Sequence, residues 1–181
     1  MYGRHPLIAL VALSACAYTP PEAPPLDRSD AAAIPLSLLD ASGRERARAE
    51  IDDEPDGLIV SLEARGLAPG TYAAHVHTVG RCDPPDFQSA GPHWNPTGAA
   101  HGRENPQGAH LGDLPNLQVG TDRRGSVEYR IAGASLRGSR NPVADADGAA
   151  LIVHASPDDY RTDPSGNAGA RLACAVIAPA R

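Results

Sequence analysis

The chain has 181 residues, of which 21% are charged, and its formal net charge at pH 7 is -6. This length fits one domain with a single hydrophobic core. The negative charge, without any run of Lys or Arg, argues against a nucleic-acid partner, because phosphates require a basic surface.

The N-terminus has the pattern of an export signal. Arg4 precedes an apolar run from Pro6 to Ala15 that is too short to span a bilayer, and Cys16 follows it. We therefore predict a signal peptide over residues 1–15. The tetrapeptide "LSAC" that ends at Cys16 resembles a bacterial lipoprotein cleavage box, in which the cysteine becomes the lipidated first residue. The alternative is an ordinary secretory signal in which Cys16 is incidental.

A Pro-rich segment connects this signal to the rest of the chain. We expect residues 16–33 to form a lipidated N-terminus and an extended tether, and residues 34–181 to form the folded domain. The protein is accordingly expected to be exported to the periplasm. The lipid anchor at Cys16 would be its only contact with the membrane.

From Ile34 onward, short segments of alternating apolar and polar residues are separated by Gly, Pro, Asn and Asp, a pattern that predicts an all-β fold. Eight strands suffice for a closed barrel or a sandwich. We predict no amphipathic helix longer than two turns. The predicted strands are Ile34–Leu39, Ala47–Asp52, Gly57–Glu63, Thr71–Thr78, Leu117–Gly120, Val127–Ile131, Ala150–His154 and Arg171–Ile177.

Two irregular stretches interrupt these strands. The segment between Cys82 and Leu114 lacks apolar periodicity, and unstructured connections beyond about 15 residues are uncommon unless they are functional or disordered. The second irregular stretch runs from Ala155 to Gly169. Once Cys16 is set aside, Cys82 and Cys174 form an even pair, which in an exported protein is expected to be a disulfide rather than two buried thiols.

Six of the seven histidines lie between Tyr72 and His154, and imidazole is the commonest metal ligand in proteins. His75 and His77 stand two positions apart on a predicted strand, so both side chains face the same side. His154 ends another predicted strand and can add a third ligand. Any one of these histidines alone would be read as a core or surface residue, but the cluster favours a transition-metal site.

The long irregular segment adds further ligand types. Three imidazoles and one carboxylate suit a tetrahedral zinc site. Seven candidate ligands are too many for one tetrahedral ion and one too few for two sets of four, so a shared residue would resolve the count. His93 is the natural candidate, because an imidazole can bridge through both ring nitrogens. The ligand types in this segment are His93, His101, His110 and Asp113.

Four segments of the sequence resemble copper/zinc superoxide dismutase of the bacterial secreted type. They are "HVHTVGRCDPPDFQSAGPHWNPTGAAHG", "GAHLGDLPNL", "LIVHASPDD" and "GNAGARLACAVI". The resemblance covers residues 34–181. It implies an eight-stranded Greek-key β-sandwich or barrel, with a long metal-binding loop and a second active-site loop.

The resemblance also implies which residues bind which metal. The copper ligands would be His75, His77, His93 and His154. The zinc ligands would be His93, His101, His110 and Asp113. Cys82 and Cys174 match the disulfide of the family, in agreement with the pairing expected from the cysteine count.

Two further residues match the family pattern. Arg171 matches the arginine beside the copper and would attract superoxide, the substrate that the resemblance implies. Asp158, rather than the adjacent Asp159, matches the carboxylate that links a copper histidine, His75, to a zinc histidine, His101. Arg161 is the only cation in the second loop before Arg171, which leaves the strength of electrostatic steering open.

The implied reaction is the conversion of superoxide into dioxygen and hydrogen peroxide, in defence of the cell envelope. Copper would alternate between Cu(II) and Cu(I), and His93 would leave copper and gain a proton on reduction. A copper-delivery or metal-buffering module, a zinc-only domain and a copper-only dismutase are the alternatives. The presence of both ligand sets and of Arg171 favours the enzyme over them. A monomer and a homodimer are both compatible with the sequence.

Overall fold

A computed structural model describes residues 33–181; the predicted signal peptide, Cys16 and the tether up to residue 32 lie outside the described residues. The described part of the chain contains nine strands, a 3-10 turn at Gln88–Ala90 and no α-helix. It therefore includes no helix with the length and apolar character needed to cross a membrane. The strands are β1 (Ile34–Leu39), β2 (Glu45–Glu54), β3 (Gly57–Ala64), β4 (Gly70–Tyr72), β5 (Ala74–His77), β6 (Leu117–Val119), β7 (Ser126–Ala132), β8 (Ala149–His154) and β9 (Arg171–Ala178).

The strands form a seven-stranded antiparallel sheet in the order β5-β8-β9-β1-β2-β3-β7 and a two-stranded sheet of β4 and β6. After β7 the chain crosses to the opposite end of the large sheet, where β8 lies between β5 and β9. This crossover, together with the neighbouring strands β1, β2 and β3, confirms the predicted Greek-key architecture.

The large sheet curls around one core. Apolar residues from β1, β3, β5, β6 and β8 belong to a single buried cluster, although β5 and β7 are the two ends of the large sheet. Strand β2 illustrates the alternation that produces this core, because Ala47, Ala49 and Ile51 are buried while Arg48 and Glu50 are exposed.

Strands β5 and β8 are buried on both faces. In β8, Leu151 and Val153 point into the main core, whereas Ala150 and Ile152 face outward and pack with Phe87, Ala90 and Cys174. The long segment between β5 and β6 therefore covers the outside of the barrel at this end. Because Ala74 and Val76 belong to the main core, the alternate residues His75 and His77 lie under this cover.

One predicted strand differs from the structure. The segment Thr71–Thr78 was predicted as one strand, but it is divided at Ala73 into β4 and β5. Strand β4 pairs with β6, whereas β5 pairs with β8, so the chain passes from the small sheet to the large one. Periodicity along the sequence cannot detect this division, because the alternation of side chains continues through Ala73.

Candidate metal centre

The long segment after β5 reaches the site because it hydrogen-bonds to the free edge of β5. The main-chain N–H of Trp94 donates to Val76 O over 2.7 Å, and Val76 N–H donates to Gly112 O over 2.9 Å. These bonds place His93 opposite His77, and Asp113 opposite His75. Two distant parts of the loop are thereby aligned with two ligands on one strand.

A bulge brings Arg171 to the same place. The pairing of β8 with β9 is regular from Ala150 to Val153, where Val153 lies opposite Ala173. The next pair is His154 with Arg171, so Leu172 is an extra residue in β9. Because directly opposite residues share a face of a sheet, the bulge puts Arg171 on the side of His154.

Among the described residues, three groups of possible ligand atoms result, each with its atoms within 4.8 Å of one another: two groups of four residues, and a group of His75, His101 and Asp158 that connects them. The strand group comprises His75, His77, His93 and His154. The loop group comprises His93, His101, His110 and Asp113. Only His93 belongs to both groups, as the count of ligands in the sequence required. All seven side chains are buried.

In the strand group, hydrogen bonds fix which nitrogen of each ring is available. His77 Nδ1 donates to Gly91 O over 2.9 Å, and His154 Nδ1 lies 3.4 Å from Gly169 O. The free Nε2 atoms of these two rings are 3.4 Å apart. Ligands arranged tetrahedrally around one ion at about 2.0 Å lie about 3.3 Å from each other, so this separation suits a shared metal.

The loop group converges on the carboxylate of Asp113. His93 Nδ1 lies 3.0 Å from Asp113 Oδ1, and His110 Nδ1 lies 3.2 Å from the same oxygen. His101 Nδ1 is 3.0 Å from Oδ2, but the geometry is not that of a hydrogen bond. The main-chain N–H groups of Gly102 and His110 donate to Oδ2 and hold the carboxylate in place.

Asp158 joins the two groups. Its Oδ2 accepts from His75 Nε2 and its Oδ1 from His101 Nε2, both over 2.9 Å. These bonds leave the Nδ1 atoms of His75 and His101 for a metal. The neighbouring Asp159 is exposed and binds Thr162 and Asn167 instead. The carboxylate that contacts both imidazoles is therefore that of Asp158.

Two ring nitrogens that Asp158 does not bind indicate whether these residues fit a metal. The Nδ1 atoms of His75 and His101 are completely buried, and neither has a hydrogen-bond partner among residues 33–181. A buried polar atom without a partner costs about 1–3 kcal/mol. A metal ion bound by each group would satisfy these atoms, and the donor chemistry of both groups suits transition metals.

Burial keeps three of the four histidines of the strand group in the form that binds a metal. It lowers the pKa of His77 to about 2 and that of His154 to about 3, because a charged imidazole is disfavoured away from water. Burial likewise lowers the pKa of His93 to about 4, against the opposing effect of Asp113. These rings are therefore neutral at physiological pH, and no proton competes with the metal.

The loop group carries negative charge instead. Burial raises the pKa of Asp113, but its close contacts with His101, His110 and His93 outweigh this effect and hold the pKa well below its usual range. Burial also lowers the pKa of His101, but Asp113 and Asp158 outweigh it and raise the pKa to about 9. Without a metal, a proton on His101 balances these carboxylates, so the site favours a cation.

Arg171 is held beside the strand group by two carbonyls. Its Nη1 donates to Phe87 O and its Nη2 to Gly91 O, each over 2.7 Å. Gly91 O thus accepts hydrogen bonds from both Arg171 and His77 of the strand group. Burial lowers the pKa of Arg171 somewhat, with Asp86 opposing the shift, and the guanidinium stays charged.

A pocket of about 270 Å³ opens onto the strand group. His77, His93 and His154 line it together with Gln88, Ser165 and Arg171. Arg171 is the only cation among its described lining residues. Arg161, the other cation of the second loop, pairs with Glu104 over 2.6 Å and lies elsewhere.

The predicted disulfide is present between Cys82 and Cys174. It joins the start of the long loop to β9, next to the packed residues Phe87 and Ala90. The residues predicted from the sequence include every ligand candidate, but not the residues that hold them: Gly91, whose carbonyl accepts from His77, and Asn116 and Tyr160, which hydrogen-bond to Asp158. Nothing in the local sequence around these three residues indicates a role in the site.

Comparison with a family profile places most of the chain in one group of proteins. Residues 45–177 match the profile described as Copper/zinc superoxide dismutase (SODC). The match includes both ligand groups, Asp158 and Arg171.

Individual relatives agree with this match. Cu-Zn superoxide dismutase 1 of Aquifex aeolicus is 40% identical over 144 residues, which cover 77% of this chain and 84% of the relative. The Cu-Zn superoxide dismutase of Caulobacter vibrioides is 42% identical over 138 residues, which cover 75% of this chain and 79% of the relative. A crystal structure of a double mutant of a SOD-like protein from Bacillus subtilis is 41% identical, with a TM-score of 0.75 over 80% of this chain and 96% of that one.

Proposed function

We infer the role of each site residue from the geometry of the two groups and from the family of the chain, which belongs to the copper/zinc superoxide dismutases. The protein is a superoxide dismutase, and copper and zinc are its cofactors. We propose that the strand group binds copper and that the loop group binds zinc. Four imidazoles suit a copper ion, whereas three imidazoles and a carboxylate suit a closed zinc site.

Bound copper supplies the one-electron chemistry, in which one superoxide is oxidised to dioxygen and the next is reduced to hydrogen peroxide. The protein contributes the binding of the anion and the handling of protons. The carbonyls of Phe87 and Gly91 fix the guanidinium of Arg171 at the wall of the pocket. We infer that Arg171 binds superoxide there through charge and hydrogen bonds.

His93 is the candidate for proton transfer. Its Nδ1 faces Asp113 in the loop group, which leaves Nε2 for the strand group. In our proposal Nε2 would help to hold the copper ion, and the same atom would take up a proton from solvent and pass it to the reduced substrate. The contact of Nδ1 with Asp113 holds the ring so that Nε2 faces the strand group.

The observation that carries the proposal is the single shared ring of His93 between two complete ligand groups. Its test is a superoxide decay assay on the exported protein before copper removal, after it, and after copper is returned. We expect activity to disappear and return with copper, while zinc content stays constant. A metal-free protein that retained full activity would refute the proposal.

We further propose residues 1–15 as a signal peptide, residues 16–33 as a lipidated tether and residues 34–181 as the enzyme domain. The "LSAC" tetrapeptide and the Pro-rich segment support this organisation. The protein would then act against superoxide in the periplasm, anchored to a membrane of the cell envelope. Labelling of cells with a radioactive fatty acid tests the anchor, because a Cys16→Ala protein should lose both the label and its membrane association.

A further inference from the structure

The position of Asp158 is decisive for both ligand groups, because its two oxygens orient His75 and His101. Asp158 lies on the second loop rather than on a strand, so other residues must hold it. Its Oδ1 accepts a hydrogen bond from the main-chain N–H of Tyr160 over 2.7 Å. Its own main chain is held by Asn116, whose Oδ1 accepts from Asp158 N–H and whose Nδ2 donates to Asp158 O, both over 2.9 Å.

Tyr160 connects these two supports. Its hydroxyl accepts a hydrogen bond from the main-chain N–H of Asn116 over 2.8 Å. Asn116 immediately precedes β6, so this bond ties the second loop to the barrel. Tyr160 thus contacts Asp158 through its main chain. Through its side chain it contacts Asn116, the residue that hydrogen-bonds to the main chain of Asp158.

Tyr160 also joins the second loop to the long loop. Its carbonyl accepts a hydrogen bond from Glu104 N–H over 3.0 Å. The guanidinium of Arg103 lies 5.0 Å from the centroid of the Tyr160 ring, and 5.5 Å from that of Tyr129 on β7. These contacts surround Tyr160 with the long loop, the barrel and Asp158.

The backbone conformation of Tyr160 indicates that contacts of its side chain stabilise an unfavourable conformation. Its φ is 63°, in the left-handed region that favours glycine and is unusual for a bulky residue. A tyrosine at such a position requires contacts that offset the strain, and strained backbone concentrates at functional sites. The hydroxyl bond to Asn116 and the stacking on Arg103 are such contacts.

We propose that Tyr160 is a positioning residue, which holds Asp158 so that one carboxylate orients a histidine in each ligand group. The proposal rests on the metal assignment of the two groups given above. Without the Tyr160 hydroxyl, Asn116 should shift, and Asp158, which is hydrogen-bonded to Asn116, should shift with it. His75 and His101 would then lose their fixed orientation, and both metal sites would change together.

The test compares Tyr160→Phe with Asp159→Asn. Tyr160→Phe keeps the ring over Arg103 and the main-chain bond, and removes only the hydroxyl. Asp159→Asn perturbs the neighbouring turn, where Asp159 binds Thr162 and Asn167, without touching an imidazole. Zinc affinity is measured by competition with a chelator, and the Cu(II) electron paramagnetic resonance spectrum is recorded on protein loaded with both metals.

We expect Tyr160→Phe to lower zinc affinity by about three- to tenfold, less than the ten- to hundredfold typical of direct partners of a ligand, and to alter the Cu(II) spectrum. Asp159→Asn should change neither. The proposal is overturned if Tyr160→Phe matches wild type in both measurements, or if Asp159→Asn has the same effect. A wild-type protein that binds neither metal in these groups would instead overturn the proposed function.

Discussion

The strand group and the loop group share His93 but are built on different parts of the molecule. The other three residues of the strand group lie on β5 and β8, within hydrogen-bonded strands. The other three residues of the loop group, His101, His110 and Asp113, all lie on the segment between β5 and β6. The strand group is therefore positioned by the sheet itself, whereas the loop group depends on how the loop is held.

This difference predicts different responses to damage. Strand ligands keep their spacing as long as the sheet is intact, because pairing fixes their register and face. Loop ligands depend on the edge bonds to β5, on the disulfide, on Asp158 and on the metal itself. Perturbations outside the barrel should therefore weaken zinc binding more than copper binding.

Cys82→Ser should have the largest effect, because the disulfide closes a separation of 92 residues. The chain-entropy relation gives a loss of about 4.6 kcal/mol in the free energy of unfolding. The bond also fixes the start of the long loop, so zinc should dissociate faster while copper is retained. Denaturant unfolding and the rates of metal release measure both effects, with reduced wild-type protein as the control. Equal retention of zinc by Cys82→Ser and wild type would contradict the dependence on the loop.

His93→Ala removes the only residue that both groups share. We expect zinc affinity to fall by more than the ten- to hundredfold that loss of an outer partner costs, because a direct ligand is lost. Copper should be held better than zinc, since three strand ligands remain fixed by the sheet. His110→Ala is the control, because it should weaken zinc binding without changing the Cu(II) spectrum. Unaltered zinc affinity in His93→Ala would exclude the shared ring.

Gly166→Ala should disturb the connection between the groups. A Cβ atom at this position would lie 1.9 Å from Asp158 Oδ1 and 2.5 Å from His101 Nε2, and φ is +62°. Zinc affinity should fall by about ten- to hundredfold, because Asp158 and His101 must separate. Gly98→Ala is a matched control, with φ +66° and no atom within 4 Å of the added carbon. If both variants bind zinc equally well, the contact at Gly166 is irrelevant.

Arg171→Ala tests the function of the strand group without changing any of the four histidines in that group. Both metals should stay bound, whereas kcat/KM should fall by about tenfold and lose most of its dependence on ionic strength. The physical reason is that Arg171 is the only cation among the described residues that line the pocket. Stopped-flow assays at increasing salt concentration measure this. Salt-dependent turnover equal to wild type would refute the role of Arg171 as the anion site.

Arg161→Ala should have the smallest effect. Its ion pair with Glu104 joins the two loops, but the two side chains are 72% and 48% exposed. Exposed pairs contribute about 0–1 kcal/mol, so zinc affinity should change by about fivefold or less. The salt dependence of turnover should also be unchanged, because Arg161 does not line the pocket. A reduced salt dependence would place Arg161 among the steering charges after all.

The chemistry of the site could be predicted from the sequence to an unusual extent. The seven ligand candidates, the need for one shared residue and the disulfide followed from residue types, counts and spacing. The all-β fold followed from alternation, and most predicted strands overlap the observed ones. These features are local, because the face on which a strand residue lies depends only on its neighbours in the chain.

The tertiary structure decided where the ligands point. Periodicity predicts that His75 and His77 share a face, but only the packing of Ala74 and Val76 in the core shows that this face is the outside of the barrel. The bulge at Leu172 carries Arg171 to the side of His154, against the simple alternation along β9. The separation of Asp158 from Asp159 and the role of Tyr160 depend on contacts between loops. Such contacts join residues far apart in the chain, and no local pattern encodes them.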